Sequence, residues 1–369
     1  MTNKKKEIED FKDISLKRLR EKINEIKECL PQEKQNIITY SRNFTLSLSN
    51  YCINNCGYCY YNFRVPKYGA NKNVTLLSND KVKKQVNKAI ENNCKESLIM
   101  SGEKPDEFPE VIKELEKQGY NNYIDYVLNI CRYLLKFKIL PHTNIGFLTY
   151  KQLKLLKNYN ASIGLMLEST SKKLFKKGGV HEYSPGKKPK RRMKPIINAG
   201  KLKIPFTTGL LLGIGESFED RVKDLYLIKE IYDKYNHIQE VILQNFEYKK
   251  GISYNPAKPI SMKEMLKITG IAKLIFKNNI PIQVPPNLIK GFERSFIEMG
   301  INDFGGISPF TQDYINPEKE WPKIEYLSEL LKKNGYTLKE RLPIYEKYVN
   351  KKSFCPEKIK NIINSYINS

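Results

Sequence analysis

The sequence predicts an α/β fold, an eight-stranded parallel (βα) barrel with a helical segment before it and an extension after it. Short runs of β-type residues alternate with longer helical runs along the 369 residues, the order typical of βα units around a parallel sheet. Polar or glycine residues follow nearly every run, at the strand ends where barrel enzymes hold their active sites. The predicted strands are Phe44–Leu48, Ser97–Ser101, Ile139–His142, Ile163–Glu168, Phe206–Leu212, Val241–Phe246, Pro281–Val284 and Ile301–Phe304.

Helices predicted between these strands carry apolar residues on one face. In Asn79–Asn92, the residues Val82, Val86 and Ile90 recur at i, i+4 and i+8. The run Ser261–Glu264 is a capping box that begins a later helix. Three segments follow from the pattern: an N-terminal helical segment (1–35), a barrel core (36–310) and a C-terminal extension packed on the barrel (311–369).

The net charge of +24 invites a nucleic-acid interpretation, but the sequence weakens it. Only ten of the 64 basic residues are Arg, the better reader of phosphates and bases, and the Lys residues are spread along the whole chain. No apolar run approaches the ~18 residues that span a bilayer, and the first thirty residues lack the apolar core of a signal peptide. The chain is therefore expected in the cytoplasm, and it is not expected to bind nucleic acid.

Three cysteines directly after the first predicted strand are the most specific chemical signal. Cys52, Cys56 and Cys59 have the spacing C-x3-C-x2-C, which lets a short loop wrap three thiolates around one centre. Three thiolates can bind three irons of a [4Fe–4S] cluster and leave the fourth iron without a protein ligand. A structural zinc site is the alternative, but it needs a fourth Cys or His nearby, and the next His is His142.

The other four cysteines lie far from this loop, in helical or terminal contexts. Disulfides are not expected in a reducing compartment. We therefore predict that these four are small buried hydrophobic residues. They are Cys29, Cys94, Cys131 and Cys355.

The cysteine loop, with Tyr58 just before its third Cys, resembles the signature of the radical S-adenosylmethionine (SAM) superfamily. The resemblance implies a [4Fe–4S] cluster bound by Cys52, Cys56 and Cys59, with SAM bound at the open iron. It also implies reductive cleavage of SAM to methionine and a 5'-deoxyadenosyl radical that abstracts hydrogen from substrate. An external electron donor would supply the reducing electron.

Other positions are similar to SAM-binding sites of that superfamily. Ser101-Gly102-Glu103 resembles the element that meets the SAM ammonium group, although Ser101 replaces its first glycine. Glu168 resembles an acidic residue that approaches the SAM ribose or amino group. Arg192 is similar to an Arg that pairs with the SAM carboxylate, with a solvated basic loop as the alternative. Gly213, in Gly209–Glu216, resembles a glycine-rich element beside the adenine, with an ordinary βα turn as the alternative.

Longer segments resemble the CofG-subunit family of 7,8-didemethyl-8-hydroxy-5-deazariboflavin (FO) synthase. They include Gln244-Asn245-Phe246, Asn302–Pro309 and Glu340–Tyr345. The resemblance implies a lyase that cyclises 5-amino-5-(4-hydroxybenzyl)-6-(D-ribitylimino)-5,6-dihydrouracil to FO with loss of ammonia. It implies a CofH partner subunit that supplies this substrate and associates with the chain.

Three residues are candidates for catalysis: His142, Asn245 and Asp303. His142 could move a proton because imidazole titrates near neutrality. Polar side chains at the strand ends could also hydrogen-bond a polar substrate. These are Gln244, Asn245, Asn287, Asp303 and Ser308. The alternatives are a CofH-type or menaquinone-pathway enzyme, an RNA-modifying radical enzyme, and a non-catalytic cluster or zinc protein.

Overall fold

The computed structural model describes residues 2–67, 72–256 and 258–367 of the chain. Its strands are β1 (Ile37–Ser47), β2 (Glu96–Met100), β3 (Leu140–Asn144), β4 (Ser162–Gly164), β5 (Phe206–Leu212), β6 (Ile238–Asn245), β7 (Ile282–Gln283), β8 (Asp303–Ile307) and β9 (Thr337–Glu340). Its α-helices are α1 (Thr2–Asp13), α2 (Leu16–Glu28), α3 (Gln32–Gln35), α4 (Asn79–Glu91), α5 (Pro109–Lys117), α6 (Tyr123–Lys136), α7 (Tyr150–Lys157), α8 (Pro189–Lys201), α9 (Phe218–Tyr235), α10 (Met262–Phe276), α11 (Glu293–Glu298), α12 (Ile324–Lys333), α13 (Glu346–Val349) and α14 (Glu357–Ile367).

Strands β1 to β8 are parallel and close into a barrel, because β1 pairs with both β2 and β8. Each strand pairs with the next along the chain, and helices connect them. The predicted (βα) barrel is confirmed. We call the end at which the strands begin the barrel floor, and the end at which they finish the barrel mouth.

The first half of β1 also pairs with β9, from Ile37 opposite Thr337 to Tyr40 opposite Glu340. Its second half pairs with β2. Strand β9 therefore extends the sheet beyond the start of β2, at the barrel floor. The chain then crosses the floor, where Ser162 Oγ (2.5 Å) and Gln239 Nε2 (3.1 Å) both donate hydrogen bonds to the carbonyl oxygen of Pro343.

The N-terminal helices pack on the outside of the barrel. Leu19 and Ile23 of α2 are fully buried and lie against Gly270 of α10, where a Cβ would come within 3.2 Å of Leu19 Cδ1. The absence of a side chain at Gly270 lets the two helices approach closely. The division into segments at residues 35/36 and 310/311 remains a prediction.

Two strand boundaries differ from the prediction in ways that matter for the site. Strand β4 ends at Gly164, and Glu168 beyond it makes only an isolated bridge to Leu210. Asp303 was predicted at the carboxyl end of a strand, but it is the first residue of β8. That prediction is wrong, because Asp303 lies at the barrel floor and the predicted cluster cysteines lie at the mouth.

Two smaller predictions about burial are also wrong. Ile90 is 45% exposed, and Ala89 takes the inward position next to Val82 and Val86 in α4. Cys29 is exposed, whereas Cys94 and Cys131 are buried, and Cys355 is half-buried. Among the described helices, none combines the length and apolar character needed to cross a membrane.

Candidate active site

The three cysteines of the predicted cluster lie on the loop that follows β1, at the barrel mouth. Backbone hydrogen bonds tie this loop to two neighbouring connections. Ile53 N donates to Glu103 O (3.0 Å) after β2, and Gly57 N donates to Val180 O (2.8 Å) after β4. The loop is thus fixed by its own backbone from two sides.

Gly102 allows the end of β2 to pack directly against the cysteine loop. A Cβ at this position would lie 2.0 Å from the carbonyl oxygen of Tyr51 and 2.8 Å from Cβ of Cys52. Gly102 N also donates a 2.8 Å hydrogen bond to the carbonyl oxygen of Ser49. Glycine is required here because any side chain would collide with the backbone of the loop.

Two hydrogen-bond donors contact the sulfurs of this loop. Ser184 Oγ donates to Cys56 Sγ, and Glu103 N donates to Cys52 Sγ, each over 3.2 Å. Donors placed this way stabilise thiolates and orient them as ligands. No three His, Cys, Asp or Glu side chains in the described ranges converge closely enough to hold one metal ion.

The buried ammonium group of Lys187 is the main positive charge near the thiols. Burial raises the pKa of all three thiols, that of Cys56 to about 12, and Lys187 lowers the pKa of each. A cation at this place favours the thiolate form that binds metal.

Arg192 links two acidic residues at the barrel mouth. Its Nη1 lies 3.1 Å from Glu103 Oε2, its Nη2 lies 3.4 Å from Glu168 Oε1, and its Nε donates to Met166 O over 2.7 Å. Arg192, Glu103 and Glu168 are all more than nine-tenths buried. Of the two readings of Arg192, the solvated basic loop is therefore wrong.

Glu168 is held in a strained backbone conformation. Its φ is +66°, in the left-handed region that a Glu rarely adopts, and such strain persists only where surrounding contacts impose it. Glu168 N donates to Gly209 O (2.9 Å), and Leu211 N donates to Glu168 O (3.1 Å). Burial acts to raise the pKa of Glu168, but Lys187, His181 and Arg192 together bring that pKa well below its usual range. The carboxylate is therefore ionised.

Tyr58 completes this network around Glu168, and two other members of it, Lys187 and His181, are not predicted from the sequence. The Tyr58 hydroxyl bonds Glu168 and lies 3.0 Å from His181 Nε2, while Lys187 Nζ bonds Glu168. The one sequence signal that could have pointed to Lys187 is that it begins the basic run that contains Arg192. No sequence pattern pointed to His181, which is buried in the connection after β4.

A single cavity of ≈ 350 Å³ runs from the barrel mouth into its interior. The predicted site residues that line it are Cys52, Cys56, Tyr58, Cys59, Ser101, Gly102, Glu103, His142, Glu168, Arg192, Gln244 and Asn245. The structure thus brings most of the predicted cluster, SAM and substrate residues to one space.

Four predicted residues are not among the residues that line this cavity: Gly213, Asn287, Asp303 and Ser308. Gly213 N donates to Glu216 Oε1 (2.7 Å), as in an ordinary turn. Asn287 Nδ2 donates to Asp313 Oδ2 (3.0 Å), and Ser308 Oγ lies 2.6 Å from Thr311 Oγ1. These contacts hold loops around the barrel mouth.

Comparison with known proteins agrees with the geometry of this site. Residues 46–228 match the model of the Radical SAM superfamily. The chain is 47% identical over 327 residues to 7,8-didemethyl-8-hydroxy-5-deazariboflavin synthase of Methanococcus vannielii, covering 88% of this chain and 90% of that one. It is 43% identical to the synthase of the same name from Methanocaldococcus jannaschii, covering 98% of both chains. The chain belongs to this family of radical SAM proteins.

Two solved structures share the fold of this chain. Methylornithine synthase (PylB) superposes with a TM-score of 0.69 at 17% identity, covering 90% of this chain and 93% of that one. The [FeFe]-hydrogenase maturase HydG from Carboxydothermus hydrogenoformans gives a TM-score of 0.71 at 18% identity, covering 89% and 73%. At this identity the likeness concerns the fold alone.

Membership of the superfamily implies a [4Fe–4S] cluster and SAM. The residues at the barrel mouth suit both groups chemically. Three thiols share one loop, two of their sulfurs accept hydrogen bonds, and a buried cation lies beside them. A buried carboxylate pair and Arg192 line the same cavity and offer both charges to a zwitterionic ligand.

Proposed function

We propose that this chain is the CofG-type subunit of FO synthase, a radical SAM carbon–nitrogen lyase. Its substrate would be 5-amino-5-(4-hydroxybenzyl)-6-(D-ribitylimino)-5,6-dihydrouracil, and its product FO. The observation that carries the proposal is the likeness over nearly the whole length of FO synthases. The cysteine loop that opens on the same cavity as Glu103, Glu168 and Arg192 supports it.

In this proposal, Cys52, Cys56 and Cys59 bind three irons of the cluster, and the fourth iron remains open for SAM. When bound, these groups supply the 5'-deoxyadenosyl radical, with methionine as the other product of SAM cleavage. Glu103 binds the ammonium group of SAM, and Arg192 binds its carboxylate through the planar guanidinium. Glu168 accepts hydrogen bonds from the ribose or amino group.

The chain's own residues would orient the substrate and exclude water. The deep cavity isolates the reacting atoms from solvent, which prevents quenching of a reactive radical. One hydrogen atom would leave the substrate in 5'-deoxyadenosine, and the ribityl nitrogen would then bond to the phenol ring. The amino nitrogen would leave as ammonia, one proton would pass to water and one electron would pass to the electron carrier that serves the enzyme, which leaves the aromatic deazaflavin.

The proposal includes two protein partners. A CofH-type subunit joins a tyrosine-derived 4-hydroxybenzyl group to the ribityl-diaminouracil and passes on the adduct. An external donor delivers the electron that cleaves SAM. The chain carries one C-x3-C-x2-C loop. We therefore expect it to perform one step only, the cyclisation of the adduct to FO.

The test is FO formation by the anaerobically reconstituted protein with SAM, a reductant and the synthetic adduct. We expect fluorescent FO, together with 5'-deoxyadenosine, with no partner subunit present. A reconstituted protein that cleaves SAM but forms no FO from authentic adduct would contradict the proposal. Adduct formation from tyrosine and ribityl-diaminouracil would instead identify a CofH-type enzyme.

A further inference from the structure

A second polar region lines the same cavity below the residues of the barrel mouth. We call it the deep polar ring; its members are Asn43, Glu96, His142, Thr207, Glu240 and Gln283. All six are more than nine-tenths buried and line the cavity. None of the six belongs to the proposed cluster and SAM residues, and His142 is a catalytic candidate from the sequence.

The strand register places these side chains around the barrel interior. Asn43 lies opposite Glu96, and Thr207 lies opposite Glu240. Side chains alternate along a strand, so the next inward residues after Glu96 and Glu240 are Leu98 and Ile242. These two apolar residues also line the cavity. Leu98 and Ile242 therefore lie between the ring and the mouth on these two strands, whereas the corresponding residues after Asn43 and His142 are the polar Thr45 and Asn144.

His142 presents a free acceptor to this space. Ser162 Oγ uses its only proton on Pro343 O, so it must accept the hydrogen bond from His142 Nδ1, 2.6 Å away. The ring proton of His142 is therefore on Nδ1, and Nε2 carries a lone pair. Burial lowers the pKa of His142 to about 4, so the ring is neutral. Nε2 has no hydrogen-bond partner among the described residues.

Gly164 keeps the space beside that lone pair open. A Cβ on Gly164 would lie 2.8 Å from His142 Nε2 and 3.5 Å from Asn144 Nδ2. Both His142 and Asn144 line the cavity. A side chain of even one carbon at position 164 would therefore occupy the place of a hydrogen-bond donor to Nε2.

The ring has more acceptors than donors. Arg341 reaches it from the barrel floor, but four of its five N–H donors are already used. Nη2 bonds Glu240 Oε2 (2.7 Å) and Asp303 Oδ1 (2.9 Å), Nε bonds Asp303 Oδ2 (2.5 Å) and Nη1 bonds Leu342 O (3.1 Å). Burial raises the pKa of Glu240 to about 7, against the effect of Arg341, and raises the pKa of Glu96 as well. A raised pKa favours the neutral form of each carboxyl group, so the ring suits a neutral ligand.

We propose that the deep polar ring binds an open-chain polyol, the ribityl chain of the substrate, with its hydroxyl groups donating to His142 and the carboxyl groups. Hydroxyls suit the ring because each one donates to an acceptor and also accepts from Asn43 or Gln283. Thr207 uses its only proton on Glu240 Oε1 (2.9 Å), so a ligand hydroxyl would donate to it. The inference rests on the proposed function and deepens it. Binding of the ribityl chain in the ring leaves the aromatic part of the substrate near the mouth, where the proposed function places the radical.

The test compares two fluorescent ligands on the anaerobic holoprotein: FO, and its analogue with a methyl group in place of the ribityl chain. The variants are His142→Leu and Gly164→Ala, with Ser97→Ala as the control. Ser97 precedes Leu98 in β2 and, by strand alternation, faces away from the cavity. Thermal unfolding of each variant checks that it is folded.

We expect both variants to weaken FO binding about 10-fold or more and to leave binding of the methyl analogue within about 2-fold. Ser97→Ala should bind both ligands as the wild type does. Equal losses for both ligands, or no loss for FO, would overturn the ring as a polyol site while FO synthesis by the wild type still stands. A wild type that neither forms nor binds FO would overturn the proposed function and, with it, the ligand of the ring.

Discussion

Nη1 of Arg192 and Oε2 of Glu103 lie 3.1 Å apart in the interior of the barrel mouth. Arg192 belongs to α8, and Glu103 follows β2, so the pair joins elements that are distant in sequence. In the proposed function these two residues bind the opposite charges of the SAM amino-acid group. In the absence of that ligand they neutralise each other, which keeps either charge from being buried alone.

Replacing Arg192 by Gln should weaken SAM binding about 10- to 100-fold, because a hydrogen bond to a charged group is worth about 1.5–3 kcal/mol. Equilibrium binding of labelled SAM to the reconstituted protein measures this. Lys194→Gln is the matched control, since Lys194 is exposed on the same helix. Equal affinities of wild type and Arg192→Gln would exclude Arg192 from SAM binding.

Replacing Cys52, Cys56 or Cys59 by Ala should each remove most of the iron–sulfur absorbance and abolish 5'-deoxyadenosine formation, because each supplies one cluster ligand. Iron analysis and chromatography of the SAM products provide the two readouts. Cys355→Ala should retain both, since Cys355 is half-buried in the last segment of the chain. Full iron content in any of the first three variants would refute the ligand assignment.

Replacing Ser184 by Ala should lower the reduction potential of the cluster by about 20–60 mV. The Ser184 hydroxyl donates to Cys56 Sγ, and a donor to a ligand sulfur favours the more negative, reduced cluster. A hydrogen bond of about 0.5–1.5 kcal/mol sets this range. A redox titration followed by electron paramagnetic resonance measures it without substrate.

The control for this shift is Ser253→Ala, whose hydroxyl donates to Gly57 O on the same loop and contacts no sulfur in the described structure. We expect its potential to match that of the wild type. Identical potentials for Ser184→Ala and wild type would mean that the bond to Cys56 does not affect the cluster.

The free energy of unfolding should fall as the pH falls from about 6.5 towards 4, partly because of His237. Burial lowers the pKa of His237 to about 4 in the folded protein, below its ordinary value of 6.5. The unfolded chain therefore binds more protons in this window, so stability rises with pH across it and is complete above about pH 6.5.

Urea unfolding at about pH 7.5 and 5 measures the effect, with His237→Gln for comparison. The variant should lose about 2 kcal/mol less than the wild type between these two values, because Gln does not titrate. The Gln side chain can still donate a hydrogen bond to the carbonyl oxygen of Ile196, as His237 Nε2 does. Equal losses would show that His237 has the same pKa in both states.

The barrel and most of the site were predictable because their signals are local. The alternation of strand and helix patterns fixed the βα order, and residues such as Cys52, Glu103 and Glu168 stand directly after strands. Parallel strands all end at the barrel mouth, so placement at strand ends was enough to bring these residues together.

The failures have a different origin, because they depend on contacts between distant parts of the chain. Asp303 was misplaced because it begins β8 and therefore lies at the barrel floor. There it pairs with Arg341, which residues 341–345 bring across the floor from a distant part of the chain. Lys187 and His181 were missed because they lie in the irregular connection after β4, where no periodicity relates sequence to position. The deep polar ring joins residues of several strands, and only the register of the closed barrel shows that they face one another.

Strand β1 pairs with β8 as well as with β2, and this has a consequence for how the protein is made. Thr39 in β1 bonds to the backbone of Asn302, which follows it by 263 residues. At 5–20 residues per second, roughly 13 to 50 seconds of synthesis separate the two. Throughout that time an edge of β1 has no strand beside it, and an unpaired edge is a template for association with other chains. Slow translation or early release from a chaperone should therefore reduce the yield of folded protein more than in folds built from local pairings.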